Sequence, residues 1–525
     1  MPNWSELPPE ILSLTLQELT EEIEPPQKKT NTRSFFLPCL RVCKYWYSLA
    51  AIQLYKDVGS VNEQRLVRLI DCLRINNRGP FVESIVIAFK YTLKNAKLLK
   101  QFATLCPNLK RISCDRNQRY KLWKDLEDMS DLLPKLELLP LPSINDRSSY
   151  YSCALKYKKS INYLHISEDH PLSKEGKELV PKLCEFPQLK SLRVYTDTFE
   201  DLDLIVNNSP MLKDLIILVD GGMAMPNNDP PVEPHNIDKL VANFSFNVIA
   251  LDYLMLKYPQ LETIDIYFLS TSEACNDFNE QVIACLDRFL EYVTRIPNYK
   301  IAFKLLPEVL PRITRFNSSM KVVLQSHLVP TNRHQVDFSR NETLVNYDYN
   351  SRNDVINLFA PIAQDIHKLT VTSQGSNTMG GGILTDILTQ CTEMKELNFI
   401  NIKRLVIHDE KEEHHALEYL RLEAPDISPK SFPAVLQRLK NLRVLEINTE
   451  YDRSFIMEAP DVHLETLKLD LITTSANRMV KITTDDGSWL FRKGGKPLID
   501  IKCGSFKNIE LIINDVLQYK TKIRC

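Results

Sequence analysis

The sequence predicts an α/β fold in which short strands and helices alternate along an irregular solenoid, with parallel strands on the concave face and helices on the convex face. The chain has 525 residues, which exceeds one compact core because a domain usually contains ~100–200 residues. Two further observations favour a repeat array over several unrelated domains. A triplet of apolar residues returns at nearly regular intervals, and prolines recur at one position before it.

The apolar triplet has the form Φ-x-x-Φ-x-Φ, where Φ is apolar, and it occurs first at Val82/Ile85/Ile87. The later copies are Leu109/Ile112/Cys114, Leu136/Leu139/Leu141, Ile161/Leu164/Ile166, Leu189/Leu192/Val194, Leu212/Leu215/Ile217, Leu261/Ile264/Ile266, Ile366/Leu369/Val371, Met394/Leu397/Phe399, Leu417/Leu420/Leu422, Leu442/Leu445/Ile447, Leu464/Leu467/Leu469 and Phe506/Ile509/Leu511. Most neighbouring copies lie about 22 to 28 residues apart, the spacing of leucine-rich repeats, in which each unit is one strand plus one helix. Single triplets occur in any α/β protein, but a dozen copies in phase favour stacked units, because one unit cannot bury its own apolar face.

The segments that precede the strands are predicted to be helices that end at a proline. Residues 98–105 have helical apolar spacing and are followed by Cys106-Pro107. Equivalent ends occur at Phe186-Pro187, Ser209-Pro210, Tyr258-Pro259 and Ile296-Pro297. Proline cannot continue a helix, and it pushes the residue before it out of the helical region. Helix termination is therefore expected at a fixed position in the repeat.

Three stretches interrupt the repeat and are predicted to be insertions, near residues 219–236, 304–358 and 473–504. The last contains residues 480–482 (VKI) and 489–491 (WLF) on either side of Asp486-Gly487, a pattern that favours a hairpin. Residues 304–358 match no repeat unit. The predicted domains are therefore residues 1–60 and a repeat array over residues 61–525.

The first sixty residues follow a different pattern. Residues 7–12 (LPPEIL) open a helical run with prolines in its first turn, where a missing N–H has no partner anyway. A polar, proline-containing gap at residues 24–34 indicates a loop, and residues 42–50 (VCKYWYSLA) and 54–58 (LYKDV) follow it. Together these three motifs resemble the F-box, the N-terminal segment of F-box/leucine-rich-repeat proteins. The spacing between Leu19 and Leu37 is longer than is usual in that family, which leaves the path of the middle helix open.

The resemblance implies a three-helix F-box that docks on the Skp adaptor of a Skp–cullin–F-box ubiquitin ligase. The segment carries more apolar residues than three helices can bury, and a large exposed apolar patch usually marks an interface. The expected adaptor-binding residues are Leu7, Pro8, Ile11, Leu12, Leu40 and Trp46. For Trp46, and more strongly for Cys43, a purely structural place in the core is the competing interpretation.

Substrate binding is expected on the concave face, which repeat arrays commonly use for binding. Counting along each triplet places these candidates on that face: His165, Arg193, Tyr195, Asp265, Tyr267, Asn398, Arg421, Glu423, Glu446, Asn448, Lys468 and Asp470. Tyrosine and arginine are enriched among the residues that dominate binding energy. For any single one of these residues, an ordinary solvated position is the competing interpretation.

The composition disfavours several classes of function. Lys and Arg total 65 against 67 Asp and Glu, so bulk charge does not favour binding to nucleic acid or to an acidic membrane. No apolar run approaches ~18 residues, and Met1–Leu7 lacks the features of a secretory signal. The 12 cysteines contain no CxxC pair, which favours free thiols in a reducing compartment, the cytoplasm and/or the nucleus.

Neither a catalytic nor a cofactor motif is evident. The nucleotide-binding patterns GxxxxGK[ST] and GxGxxG do not occur in the sequence. Residues 379–382 (MGGG) fit a turn better than a phosphate cradle, and residues 408–415 (HDEKEEHH) fit a solvated loop better than a metal site. We therefore expect no enzyme activity, no cofactor and no metal.

The resemblance to F-box/leucine-rich-repeat proteins implies a substrate-recognition subunit of a Skp–cullin–F-box ubiquitin ligase. Such a subunit binds the Skp adaptor through the F-box, a cullin through the adaptor, and a protein substrate of unknown identity through the repeats. The alternative is a leucine-rich-repeat interaction scaffold that does not direct ubiquitination. Only the F-box motifs separate the two, because a fold by itself does not establish a function.

Overall fold

The computed structural model describes residues 11, 14, 39–88, 93–114, 121–142, 146–167, 174–196, 198–218, 235–246, 248–271, 280–304, 309–325, 335–340, 343–348, 357–374, 383–400, 416–423, 436–450, 455–472, 479–484, 487–491, 497–513 and 516–522. The structure is mixed α/β, and most of its strand pairs are parallel. Contacts between residues divide the chain into two compact units. The first is Met1–Phe244 with Leu256–Leu261, and the second is Ser245–Met255 with Glu262–Cys525.

The first unit alternates helices with short strands. Its helices are α1 (Lys44–Lys56), α2 (Glu63–Asn76), α3 (Leu93–Leu105), α4 (Lys121–Asp128), α5 (Arg147–Lys156), α6 (Lys174–Leu179) and α7 (Phe199–Asn207), with 3-10 turns at Gly79–Phe81 and Val180–Glu185. Its strands are β1 (Asp57–Val61), β2 (Ser84–Ile87), β3 (Arg111–Cys114), β4 (Tyr163–Ser167), β5 (Ser191–Tyr195), β6 (Asp214–Leu218) and β7 (Lys239–Phe246, whose last two residues belong to the second unit). Helix α3 ends directly before Cys106-Pro107, so the helix stop predicted there is confirmed.

Side-chain caps explain where two of these helices begin. The side chain of Asn62 accepts a hydrogen bond from the backbone N–H three residues later at the start of α2, and Thr198 does the same at the start of α7. Each cap satisfies one of the N–H groups that the first turn of a helix leaves without a partner. Helix α2 ends at Asn77, whose left-handed backbone (φ 50°) suits asparagine and stops the helix.

The strands of the first unit pair in parallel, and their apolar triplets are in register. Ile85 of β2 lies opposite Ile112 of β3, and single bridges through Leu138 connect β3 with β4. The second triplet residues of β4 to β6, and their counterpart in β7, are successive partners: Leu164, Leu192, Leu215 and Leu240. The first two apolar residues of every triplet in this unit from Val82 to Leu215 are buried, which confirms the predicted burial.

Two third positions of the triplet depart from the prediction. Leu141 is 48% exposed, and Cys114, the last residue of β3, is only half-buried. Leu141 lies between Pro140 and Pro142, which have no N–H to donate to a sheet. Two isolated bridges at Leu138, to Arg111 and to Tyr163, therefore stand where full ladders were expected, and the inward position predicted for Leu141 is wrong.

The second unit contains most of the strands. Its helices are α8 (Val248–Lys257, whose last two residues belong to the first unit), α9 (Glu280–Thr294), α10 (Leu310–Thr314) and α11 (Ile383–Gln390). Its strands are β8 (Thr263–Thr271), β9 (Asn298–Lys304), β10 (Ser319–Gln325), β11 (Gln335–Ser339), β12 (Thr343–Asp348), β13 (Lys368–Gln374), β14 (Glu396–Ile400), β15 (Tyr419–Glu423), β16 (Val444–Glu450), β17 (Phe455–Ile472), β18 (Met479–Thr484), β19 (Gly487–Phe491), β20 (Pro497–Ile513) and β21 (Val516–Lys522).

A parallel ladder runs through β10, β13, β14, β15, β16, β17 and β20. The second triplet residues are again partners from strand to strand: Leu369, Leu397, Leu420, Leu445, Leu467 and Ile509. All six side chains are buried. Each repeat of the apolar triplet in this part of the sequence therefore corresponds to one strand of the ladder.

The stretch that matched no repeat unit, residues 304–358, breaks the parallel order. Strand β11 pairs antiparallel with both β9 and β12, and β12 pairs in parallel with β10. The chain thus inserts β11 and β12 between β9 and β10. Within residues 473–504, β18 and β19 pair antiparallel, with Lys481 opposite Leu490, so the predicted hairpin is confirmed. Strand β20 pairs in parallel with β18 and antiparallel with β21.

Lys257 is a buried charge in the first unit. Its side chain is 1% exposed, and its ammonium lies 2.9 Å from the carboxylate of Asp203. The side-chain oxygen of Asn207 lies 3.4 Å from the same ammonium. A buried charge is stable only when an opposite charge and hydrogen bonds replace the water it has lost. The pair therefore ties Lys257 to α7.

Candidate protein-binding surfaces

The start of α1 combines a helix cap with a small apolar cluster. The Cys43 thiol accepts a hydrogen bond from the Trp46 backbone N–H at 3.5 Å and so caps the helix. Leu40 and Trp46 are partly buried and pack against Ala50. Cys43 therefore has a structural role in this segment. Trp46 is partly buried in the cluster and partly exposed to solvent.

Other apolar side chains of the same segment are exposed to solvent. Val42 is 56% exposed and Tyr47 44% exposed, and Ile11 and Leu14 are exposed to a similar degree. The remaining residues predicted to bind the adaptor lie outside the described residues: Leu7, Pro8 and Leu12. Single exposed apolar residues are ordinary, whereas several within one short segment usually mark an interface. Ile11, Leu14, Val42 and Tyr47 are called the N-terminal apolar residues below.

Arg78 connects α1 to the 3-10 turn that precedes β2. Its guanidinium lies over the rings of Tyr47 and Phe81, 5.4 Å from each ring centroid. The Tyr55 hydroxyl and the Cys72 thiol are hydrogen bonded at 3.4 Å, which joins α1 to α2. This bond, followed by burial, raises the pKa of Tyr55 to about 12. Helix α1 is therefore held against α2 and the 3-10 turn that precedes β2.

One face of the ladder in the second unit carries polar residues that are partners across successive strands. From β13 to β20 these partners are Thr370, Asn398, Arg421, Glu446, Lys468 and Glu510, called the polar row below. Their apolar neighbours in each strand point to the opposite face, as strand geometry requires. Four of the twelve residues predicted for substrate binding lie in this row.

Glu446 is the centre of the polar row. It accepts hydrogen bonds from the Tyr419 hydroxyl at 2.6 Å and from the Lys468 ammonium at 2.9 Å, and the Arg421 guanidinium lies 3.9 Å away. Burial is the largest single influence on the pKa of Glu446 and raises it. The two hydrogen bonds and the two positive charges together outweigh burial, so the pKa lies below its usual value.

The predicted residues beside the row continue the same hydrogen-bonded surface. Arg421 lies 3.4 Å from the carboxylate of Glu423, and the Asn448 amide donates to Asp470 at 3.5 Å. The Asn398 amide donates to the Thr370 hydroxyl at 3.4 Å. The structure therefore brings together seven of the predicted residues on β14 to β17: Asn398, Arg421, Glu423, Glu446, Asn448, Lys468 and Asp470.

Two further residues of this face were not predicted from the sequence. Tyr419 bonds to Glu446, and Glu396 accepts a hydrogen bond from the Asn398 amide at 3.0 Å. Both stand directly before the second apolar residue of a triplet, whereas the prediction considered only the positions after it. Strand alternation places all of these positions on one face, so the signal was present.

The predicted residues of the first unit form a separate group. His165 of β4 and Arg193 of β5 are partners, and Tyr195 follows on the same face of β5. The His165 backbone N–H donates to the Tyr150 hydroxyl at 3.0 Å, and its side chain is 9% exposed. Burial, and then the guanidinium groups of Arg193 and Arg147, lower the pKa of His165 to about 4. The imidazole is therefore neutral at pH 7.

Asp265 and Tyr267 lie on β8 in the second unit. Asp265 is the partner of Lys300 on β9. The Tyr267 hydroxyl lies 3.5 Å from the side-chain oxygen of Gln335 on β11. These contacts involve β9 and β11 rather than the strands of the polar row, so the two residues are not part of that surface.

A groove of about 540 Å³ lies beside the residues that precede β15 and β16 and beside the middle of β17 and β20. In it, His463 Nδ1 and Ser505 Oγ are 2.9 Å apart, and Arg443 lies 2.8 Å from Glu465 and 3.6 Å from Glu418. A nucleophilic serine needs a histidine that a third group orients. Among the described residues no carboxylate bonds to His463, so this pair lacks the arrangement of a catalytic triad.

Two findings concern the described part of the chain alone. No group of three His, Cys, Asp or Glu side chains within it is placed to hold a metal ion. None of its helices has both the length and the apolar character needed to cross a bilayer. The glycine run at residues 379–382 and the histidine-rich segment at residues 408–415 lie outside the described residues.

Comparison of the chain with protein-family models and with curated proteins finds no match in either set.

Proposed function

We propose that this chain is the substrate-recognition subunit of a Skp–cullin–F-box ubiquitin ligase. Residues 1–60 form the F-box that binds the Skp adaptor and, through it, a cullin. The remaining residues form an irregular leucine-rich-repeat solenoid whose strand face binds a protein substrate. The observation that carries the proposal is that motifs resembling the F-box, with exposed apolar residues, precede strands whose apolar triplets pair in parallel and in register.

The solenoid part of the proposal rests on period and register. Strands β4, β5 and β6 pair in parallel in chain order, with α6 and α7 between them. A parallel pair needs a crossover connection, and a helix of the repeat supplies it. Each unit then covers the apolar triplet of the next. The solenoid is irregular because β11 and β12 are inserted into the parallel order and because β19 and β21 pair antiparallel.

The F-box part rests on the N-terminal apolar residues and on the way α1 is attached. Val42 and Tyr47 are exposed at the start of α1, within the VCKYWYSLA motif. Arg78 and Tyr55 hold the same helix against the residues that follow. A fixed attachment suits a recognition subunit, because it sets the position of a bound substrate relative to a ubiquitin-loaded enzyme.

In this proposal the chain carries out no bond chemistry itself. Its contribution is to raise the effective concentration of the substrate near the enzyme that transfers ubiquitin. The strand face suits this role because its side chains lie in fixed positions on rigid strands. Glu446, for example, is held by three side chains from β15 and β17.

Adaptor binding is the experiment that tests the proposal. The full chain is co-expressed with the Skp adaptor, and the dissociation constant of the purified pair is measured by calorimetry. Leu7→Ala/Pro8→Ala and Val42→Asp are each expected to weaken binding about tenfold or more, or ~1.4 kcal/mol. Ile75→Asp is the matched control, because Ile75 is 81% exposed on α2 and lies outside the three motifs.

Tight binding that Val42→Asp weakens and Ile75→Asp leaves unchanged supports the proposal, provided that circular dichroism shows each variant folded. Absence of binding by the unmodified chain refutes the ligase role. In that case the alternative function remains, a repeat scaffold that binds protein through its strand face without directing ubiquitination.

A further inference from the structure

Strand β21 forms an outer edge of the ladder in the second unit. It pairs antiparallel with β20, from Asn508 opposite Lys522 to Ile513 opposite Val516. Within the part of the chain that the structure describes, no strand pairs with the other side of β21. Such an edge presents a row of backbone N–H and C=O groups that can pair with another chain. Strand addition at an edge is a common way to bind an extended peptide.

Charge alternates along the polar row as it approaches this edge. Arg421 is the partner of Glu446, and Glu446 is the partner of Lys468. Lys468 is the partner of Glu510, and the register of β21 places Lys520 opposite Glu510. From β15 to β21 the row is therefore positive, negative, positive, negative and positive. Opposite charges on directly paired residues stabilise a sheet, and like charges destabilise it.

Each negative residue of this part of the row stands between two positive ones. The Glu446 carboxylate lies 2.9 Å from the ammonium of Lys468 and 3.9 Å from the guanidinium of Arg421. By register, Glu510 stands between Lys468 and Lys520 in the same way. Lys520 ends the row, because β21 is paired on one side only in the described part of the sheet. The register position beyond Lys520 therefore suits a negative residue.

The neighbouring positions of β21 extend this requirement along the edge. Lys522, opposite Asn508, lies two positions beyond Lys520 and so belongs to the same face of the strand. Leu517, opposite Ile512, follows in the other direction after an irregular step in the register. A strand that complements this edge therefore has two acidic residues two positions apart, opposite the lysines, and an apolar residue opposite Leu517.

A second copy of β21 does not meet this requirement. The strand has the sequence VLQYKTK, which contains no acidic residue. In either orientation, a β21–β21 pair therefore places a neutral or positive residue opposite Lys520. Lysine on an edge strand also discourages self-association. Charge complementarity thus favours an acidic strand from a different polypeptide.

We propose that β21 binds an acidic, extended polypeptide segment, which adds to the sheet as an antiparallel strand with acidic residues opposite Lys520 and Lys522. Backbone hydrogen bonds along the 7 residues of β21 supply affinity, and the charge pairs supply specificity. Antiparallel pairing is slightly more stable per residue than parallel pairing. The site lies at the edge of the sheet rather than on its strand face, and it requires neither the F-box nor the ligase role.

Peptide binding to the full chain tests this proposal. The probe is a labelled peptide of the length of β21 in which glutamate alternates with threonine, and its counterpart has lysine in place of glutamate. Fluorescence anisotropy is expected to show the glutamate peptide binding about tenfold or more tightly than the lysine peptide.

Two further peptides separate strand addition from simple charge attraction. One is the glutamate peptide with N-methyl groups on the backbone of every glutamate, and the other carries them on every threonine. Alternate residues of a strand direct their N–H groups to opposite edges, and N-methylation removes these donors without changing the charge. One methylated peptide, the one altered on the edge that faces β21, is therefore expected to lose binding, and the other is expected to keep it.

A charge reversal in β21 tests the register. Lys522→Glu is expected to weaken binding of the glutamate peptide about threefold or more and to strengthen binding of the lysine peptide. Its partner Asn508 is neutral, so the change places no like charges opposite each other. Lys507→Glu is the matched control, because Lys507 is 69% exposed on β20 and lies 3.7 Å from Glu465 rather than on β21. Circular dichroism and thermal unfolding check that both variants fold.

Binding of the glutamate peptide that one methylated form loses, that Lys522→Glu weakens and that Lys507→Glu keeps supports the proposal. Equal binding of the glutamate and lysine peptides overturns it, and so does full binding by both methylated forms or an unchanged affinity in Lys522→Glu. Light scattering identifies the competing occupant: a dimer of the unmodified chain that the glutamate peptide does not dissociate, and that Lys522→Glu changes, assigns the edge to a second copy and overturns the proposal.

Discussion

Replacing Lys257 with methionine tests the buried ion pair of the first unit. Lys257→Met keeps a side chain of similar length and removes the ammonium that lies 2.9 Å from Asp203. Removing one partner of a buried pair costs ~3–5 kcal/mol, because the other charge stays behind without compensation. The Asp203 side chain is 15% exposed and keeps some contact with water. We therefore expect a loss near the lower end of that range, ~3 kcal/mol.

The free energy of unfolding is measured in urea, with circular dichroism and tryptophan fluorescence as independent probes. Lys213→Met is the control, because Lys213 also pairs with an aspartate of the first unit, Asp238 at 3.2 Å, but both side chains are about half exposed. Such exposed pairs contribute only ~0–1 kcal/mol. The double variant Lys257→Met/Asp203→Leu is expected to recover part of the loss, since no charge is left buried. Equal destabilisation by Lys257→Met and Lys213→Met would refute this reasoning.

Three further predictions follow from local contacts. Asn62→Ala removes the cap of α2 and is expected to lower the free energy of unfolding by ~1 kcal/mol, whereas Asn62→Asp, which keeps a capping oxygen, is not; equal losses in both would contradict the cap. The folded pKa of Glu446 lies below its ordinary value of 4.5, so the stability contributed by the carboxylate is fully present above that pH and is lost as the pH falls through the folded pKa. Acid titration of stability should therefore be shallower in Glu446→Gln than in the unmodified chain below about pH 4.5, and identical slopes would count against the contacts of Glu446. Burial raises the pKa of the Cys106 thiol to about 12, whereas Cys184 is exposed. Under native conditions a thiol reagent should label Cys184 before Cys106, as peptide mapping would show, and early labelling of Cys106 would contradict its burial.

Many strand positions were predictable because the apolar residues that a strand buries lie within a few consecutive positions of the chain, where their spacing can be recognised. Several strands were not predicted, and for β7 and β9 the reason is local. Strand β7 contains Leu240 and Ala242, and β9 contains Tyr299 and Ile301, all buried in the structure. Alanine and tyrosine are weak members of an apolar triplet, so these copies did not stand out. The gap of about two repeat steps between the copies at Leu212 and Leu261 indicated the missing β7, and β9 lies in the longer gap before the copy at Ile366.

The candidate surfaces were predictable as positions but not as contacts. Strand alternation placed Arg421, Glu446 and Lys468 on one face before any coordinates were known. Their mutual hydrogen bonds depend on which residues are partners across neighbouring strands. The connecting segments vary in length, so the sequence alone does not give these partners. The same limit applies to His165, which was predicted as a surface residue and is almost completely buried beside Arg193.

By itself the sequence determined the strand–helix period, the buried face of most strands and the resemblance of the first sixty residues to an F-box, because each of these is written in residues close together in the chain. The tertiary structure alone decided which distant residues meet. It inserted β11 and β12 between β9 and β10, buried Lys257 against Asp203, and buried His165 against the Tyr150 hydroxyl. Each of these contacts joins segments whose separation along the chain is not periodic, and no local pattern encodes how such segments pack together.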